Sequence, residues 1–185
     1  HLTWLSFLYL SAGIYSGRNP WQVIRYYGPV ALTALGSQSS AASLGVAIEE
    51  TRKSPVLESE VRNFSIPLFG NIHFPGSVLD IVFLVVAVSY LMHGTLPEIE
   101  KMIIFIPLLA VFGVAAPGLP GGTLFASIGL IQAVIGMDEA GIALMITIFA
   151  LLDSFGTTHN ITSDGALSLI LTGYNEKRER RKPAL

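Results

Sequence analysis

The chain contains no cysteine, which excludes disulfides, thiol nucleophiles and thiolate metal sites. Charge is also scarce. Only 13% of the 185 residues are Asp, Glu, Lys or Arg, against about 25% in an ordinary soluble domain. Those few charges are clustered at residues 49–62, 98–101, 138–139 and 176–182. The formal net charge of −2 says little about partners, because the charges fall in connecting segments. The basic residues have no aromatic interleaving and form no recognised motif, so no nucleic-acid partner is expected. The chain opens on His1 rather than Met, and its first apolar run (residues 2–14) is short for a full membrane span. It is therefore expected to be a piece of a longer protein, cut inside a helix.

What the chain does have is apolar sequence: 51% hydrophobic residues and a mean hydropathy of +0.60. Long uncharged stretches between charge clusters are the pattern of a polytopic membrane protein, which makes the lipid bilayer the expected surroundings. Residues 1–28 read as the end of a transmembrane helix, a breaker turn (Ser16-Gly17-Arg18-Asn19-Pro20) and an interfacial segment. Residues 29–48 are apolar but interrupted by Gly36-Ser37-Gln38-Ser39-Ser40. This is too short to cross twice and too polar at its centre to cross once, so a re-entrant helical hairpin with a polar tip is predicted.

A charged loop is predicted over residues 49–63, then a spanning segment over 64–93. The latter contains Asn71-Ile72-His73-Phe74-Pro75-Gly76-Ser77, and proline and glycine there predict a broken helix. Residues 102–136 are apolar around a Pro/Gly tip, Ala116 to Gly122, which predicts a second hairpin. Residues 140–172 are long enough to span, a task needing about 20 apolar residues. Yet they carry Asp153, Thr157, His159, Asn160 and Asp164. A carboxylate near the bilayer centre costs at least ~2.5–3.5 kcal/mol, so such groups are expected to line a protected site.

Hairpin, broken helix, hairpin, polar-centred helix is an internal repeat. Paired interrupted segments of this kind point to a transporter binding site. The expected fold is thus an all-α polytopic membrane protein, an inverted repeat of re-entrant hairpin plus broken transmembrane helix forming one transport domain over residues 29–172. The loop at 49–63 and the basic tail at 173–185 would share a cytoplasmic face with Arg18 and Arg25, by the positive-inside rule. That placement predicts a multi-pass protein of the plasma (inner) membrane with a cytoplasmic C-terminus.

These segments resemble the dicarboxylate/amino acid:cation symporters, a family that includes glutamate transporters. Gln38-Ser39-Ser40-Ala41-Ala42-Ser43-Leu44 is similar to the serine-rich tip of that family's first hairpin, and Gly118-Leu119-Pro120-Gly121-Gly122 to the tip of its second. His73-Phe74-Pro75-Gly76-Ser77 aligns with the N-M-D-G-T motif, and residues 153–164 with D-x-x-R-T-x-x-N-x-x-x-D. Each motif alone is weak, but four in order are specific, and they cover nearly the whole chain as the family's C-terminal half.

The resemblance implies a secondary active transporter, not an enzyme, that couples a cation gradient to uptake of a small amino acid or carboxylate solute and assembles as a homotrimer. It implies that Asp153 holds the substrate's α-ammonium, that Asn160 contacts its α-carboxylate, and that Thr157 lies close by. Ser39 and Ser40 would receive the carboxylate, and the second hairpin with Gly118, Leu119 and Pro120 would form the extracellular gate. No cofactor is implied, but sodium as a co-transported ion is. Its ligands would be Asp164 and backbone carbonyls near Phe69, His73 and Asn160, with a second site at the gate and the carbonyl of Asn71.

Two departures alter this picture. Gly156 stands where the family has an arginine, which disfavours an acidic substrate for want of a bidentate partner. His73 and Pro75 replace the asparagine and aspartate of N-M-D-G-T, which opens coupling to protons through His73 as an alternative. Three other readings are weighed: an anion-conducting relative, an inactive one, and an intramembrane enzyme using His159 with Asp153 or Asp164. No nucleophile motif accompanies that last set. For His159 the sequence favours packing against a neighbouring helix, and Asp80 falls in no motif.

Overall fold

The computed structural model describes residues 1–181, and every described secondary-structure element is helical. In chain order the helices are α1 (Leu2–Ser16), α2 (Trp21–Ile24), α3 (Gly28–Ser37), α4 (Ser40–Thr51), α5 (Ser59–Ile72), α6 (Pro75–His93), α7 (Ile99–Ala115), α8 (Gly122–Leu130) and α9 (Glu139–Glu179). A π-helical turn, Ile131–Ile135, extends α8. Among the described residues two stretches are long and apolar enough to cross a membrane: Ser59–His93, made of α5 and α6, and Glu139–Glu179.

Local chemistry sets the breaks. Between α5 and α6, His73 and Phe74 are non-helical, with φ near −113° and −118°. Pro75 forces this, because its ring disfavours the α conformation of the residue before it and itself suits a first helical position. Between α3 and α4, Gln38 adopts a left-handed φ of 53°, uncommon for a residue with a Cβ. Its side chain is held there by Nε2, which donates to the Ala150 carbonyl (3.1 Å) and Ser154 Oγ (3.0 Å). Ser39 then caps α4 by accepting from Ala42 N–H at 3.1 Å. Between α7 and α8, Gly121 supplies the positive φ of 72° before α8 begins.

Helix α9, with 41 residues, is on the order of 60 Å long and organises the rest. Its first half joins α6, α7 and α8 in one apolar core around Ile81, Leu84, Phe105, Leu109, Met145 and Phe149. Its second half joins α1 to α5 in another around Tyr27, Val30, Ile66, Ile161 and Leu169. The polar stretch from Asp153 to Asn160 falls at the seam between them. Exposure is inverted relative to a soluble domain: Phe83 is 64% exposed and Phe155 56%, whereas Asp164 is 0%. Apolar groups outside and carboxylates inside suit a hydrocarbon surrounding.

Some boundaries differ from the sequence expectation. The loop predicted at 49–63 is shorter, because α4 runs on to Thr51 and α5 begins at Ser59. The tail predicted at 173–185 is no separate segment as far as Glu179, since α9 continues through it; residues 182–185 lie outside the described ones. The reason is local, as Asn175, Glu176 and Lys177 are anchored. Arg18 pairs with Glu176, Asn175 Nδ2 donates to Glu58 at 3.0 Å, and Lys177 Nζ donates to the Tyr15 carbonyl at 2.5 Å. Arg18 also reaches the Val56 carbonyl at 2.6 Å. The turn before α5, Arg18 and the C-terminal turns therefore do share one end of the molecule. At the α4 end Lys53 bonds Glu50 at 2.5 Å, and that carboxylate holds its ammonium above the ordinary lysine range.

Candidate functional site

Three helix N-termini meet at the seam. The fold directs α4, α6 and α8 inward there, and each starts where a hairpin tip or helix break leaves backbone N–H groups without intrahelical partners. Every one is met by a group from another element. At α8, Gly121 N–H donates to Asp153 Oδ2 at 2.7 Å. At α6, Gly76 N–H (2.7 Å) and Ser77 N–H (3.3 Å) donate to Asn160 Oδ1. At α4, Ala41 N–H donates to the Gly118 carbonyl at 3.1 Å, and Ser39 Oγ donates to the same oxygen at 2.7 Å. The two hairpin tips are thus bonded directly to each other.

Beneath the tips lies a cavity of about 10 Å³ whose walls include Ser40, Ser77, Gly118, Asp153, Thr157 and Asn160. That is room for about one water molecule. Of the residues singled out in the sequence, Ser40, Gly118, Leu119, Asp153, Thr157 and Asn160 line it. Pro120 lines the neighbouring cleft with Gln38 and Phe125. Ser39 lies at the tip but spends its hydroxyl on Gly118. Thr157 Oγ1 donates to Asp153 Oδ1 at 3.3 Å, so both carboxylate oxygens of Asp153 are engaged. Asn160 is spent as well, its Nδ2 donating to Ser77 Oγ at 2.8 Å. The amide expected to meet a substrate carboxylate instead holds the start of α6 against α9.

Close approach of the backbones makes that contact possible. A Cβ on Gly76 would lie 2.2 Å from the Gly156 carbonyl oxygen, so α6 and α9 cross where both lack side chains. A larger cavity lies elsewhere, about 450 Å³, with walls including Trp4, Ile72, His73, Phe74, Val78 and Val114. Apart from His73 its walls are apolar, so it lacks the converging polar groups of a solute site.

One turn beyond Asn160, Asp164 is completely buried. Its Oδ1 accepts from His73 Nδ1 at 2.9 Å, and its Oδ2 is buried without a partner. The ligand set expected for sodium is partly engaged already. The Phe69 carbonyl accepts the His73 N–H at 2.8 Å, and the Asn160 carbonyl accepts Ser163 Oγ at 2.8 Å. Asn71 is exposed, and its Nδ2 donates back to the Pro67 carbonyl at 2.8 Å. Among the described residues no three His, Asp or Glu side chains form a chelating group. The orphaned Oδ2 of Asp164 still calls for a partner, as do Tyr27 OH and Thr162 Oγ1 in the same half of the molecule.

His159 is buried, as expected of a packed histidine, with Nδ1 bonded to Nδ1 of His1 at 2.8 Å. His1 in turn bonds Asp80 Oδ1 through Nε2, also at 2.8 Å. Sequence reasoning missed this His1–Asp80–His159 cluster. A carboxylate inside an apolar run was the available signal, but no spacing linked it to a histidine 79 positions away.

The sequence profile of the sodium:dicarboxylate symporter family matches residues 1–174. Among curated proteins the chain is similar to a neutral amino acid transporter B(0) of Bos taurus, 21% identical over 166 residues, which covers 90% of this chain and 30% of that protein. It is also similar to an excitatory amino acid transporter 1 of Ambystoma tigrinum, 25% identical over 147 residues, covering 80% of this chain and 27% of that one. The chain thus spans less than a third of either relative. With almost its whole length matched by the profile, the chain belongs to the sodium:dicarboxylate symporter family.

Proposed function

We propose that this chain forms the substrate-carrying part of a secondary active transporter that couples a sodium gradient to uptake of a small amino acid or carboxylate solute. The observation that carries this reading is the meeting of three helix N-termini, α4, α6 and α8, with Asp153 at one closed polar cavity. Helix N-termini attract an anionic group such as a carboxylate, and Asp153 suits an ammonium. Together these are the two ends of an amino acid.

The cavity as it stands is too small for such a solute, so binding requires the tips to part. An entering ammonium competes with Gly121 N–H for Asp153, and an entering carboxylate takes over the tip donors. Binding and gate position are therefore linked, and the ligand shifts the population between open and closed tips. Asp164 Oδ2 is the proposed sodium ligand, a hard oxygen of the kind sodium favours. The α3–α4 and α7–α8 hairpins would form inverted halves, and the complete protein a homotrimer in the plasma membrane with the α9 C-terminus inside.

Thermal unfolding of the full-length protein tests the reading. Sodium with L-alanine is expected to raise Tm beyond either alone, corresponding to about 2.7 kcal/mol at a hundredfold excess over Kd. Absence of any shift with sodium, amino acids or dicarboxylates, alone or combined, would sink it.

A further inference from the structure

Gly156 and Asp80 form a contact that the reading above leaves unused. Gly156 lies on α9 beside Thr157 and one turn beyond Asp153, both of which line the closed cavity. A Cβ built on Gly156 would stand 2.3 Å from Oδ2 of Asp80. The carboxylate therefore occupies the space in which any side chain at position 156 would begin. Asp80 lies one turn beyond Ser77, the α6 residue that lines the same cavity, and itself lines a separate opening with His1 and Leu152. Its Oδ1 is taken by His1, whereas Oδ2 is buried with no hydrogen-bond partner and the whole residue is 7% exposed. Buried polar atoms are rarely left unpartnered, and each exception calls for an explanation.

No lysine or arginine side chain lies near this oxygen in the sequence. Between Arg62 and Lys177 the only lysine or arginine is Lys101, which sits at the start of α7 with Glu98 at 3.5 Å. The groups facing Asp80 are the neutral backbone of Gly156, the α-ammonium of His1 and the imidazole of His1, itself bonded to His159, with the Asp153 carboxylate nearby. A solute with a second carboxylate would meet Asp80 and Asp153 and no lysine or arginine side chain. A solute with a second ammonium would find an unpartnered acceptor beside Gly156, against the start of α6 where Ser77 lines the cavity.

Resting on the transporter reading, the geometry points to a cationic amino acid as the carried solute, with its α-ammonium on Asp153 and its side-chain ammonium on Oδ2 of Asp80. Gly156 is the specificity position, because the side chain it lacks is what lets the two groups meet. A side chain there would cover the carboxylate or displace it.

Uptake by the full-length protein in proteoliposomes under a sodium gradient tests this, with radiolabelled L-ornithine, L-alanine and L-glutamate as probes. Ornithine is expected to show the lowest KM and to displace alanine. Asp80→Asn is expected to lower the ornithine-over-alanine preference roughly tenfold or more, the size of a lost charge-assisted hydrogen bond. Alanine uptake that ornithine does not inhibit, or a preference for glutamate, overturns the inference and leaves the transporter standing. An Asp80→Asn protein that loses ornithine and alanine uptake in equal proportion assigns Asp80 a structural role and overturns it too. Should that variant fail to fold, displacement of alanine by ornithine in the unaltered protein decides the matter. No saturable uptake of any probe overturns the transporter reading and this inference together.

Discussion

Asp153 and Asp164 are both buried carboxylates on one helix, yet they are satisfied in opposite ways. Asp153 bonds Gly121 N–H, a backbone donor on a hairpin tip whose neighbouring Gly118 carbonyl accepts from Ser39 and Ala41 of the other tip. Asp164 bonds the imidazole of His73, a residue fixed at the break of a helix packed along α9. The first partner belongs to a tip held to the other tip by hydrogen bonds, the second to a helix break packed along α9. The difference separates a carboxylate suited to exchanging partners from one suited to holding a position.

If that contrast is right, the two sites break differently. Asp164→Ala is expected to have the largest effect on folding, about 1–3 kcal/mol, because it leaves the partly buried His73 without its partner. Denaturant unfolding of the full-length protein would show it, and a loss below ~1 kcal/mol, that of an exposed pair, would erase the contrast. Asp153→Asn keeps an oxygen for Gly121 N–H and should fold nearly as before. Losing the charge should weaken amino acid binding by about 1.5–3 kcal/mol, or roughly 10- to 150-fold, read by isothermal titration. Ser39→Ala is expected to be the mildest. It removes both the α4 cap and the bond to Gly118, at about 0.5–2 kcal/mol, and it should raise hydrogen exchange at the two tips while sparing α9. Equal exchange throughout would mean that the tips are not a separable gate.

Much of the fold was legible because its signals are local. Pro75 and Gly76 announce the break before α6, Gly121 and Gly122 the second tip, and Ser39 the cap of α4. Each acts through its own backbone, so no neighbour is needed to read it. Helix ends were less legible: α4 runs past its apolar stretch to Thr51, and α9 extends to Glu179 because Arg18, Glu58 and Tyr15 hold its last turns. The residues around the cavity could be identified by type and order, but their partners could not. Asn160 reads as a substrate ligand in sequence, yet in the structure it clamps α6 through Gly76 and Ser77.

The sequence by itself determined that the chain is helical and apolar, where it breaks, and that α9 carries polar groups at membrane depth. Periodicity, proline, glycine and the cost of burying charge fix those features without reference to distant residues. Only the tertiary structure decided which polar groups are free. Gly156 is an absence in the sequence, and it becomes a site only because the crossing of α6 and α9 sets the unpartnered oxygen of Asp80 against it. That contact depends on the angle and depth at which two helices pack, and no local propensity encodes it.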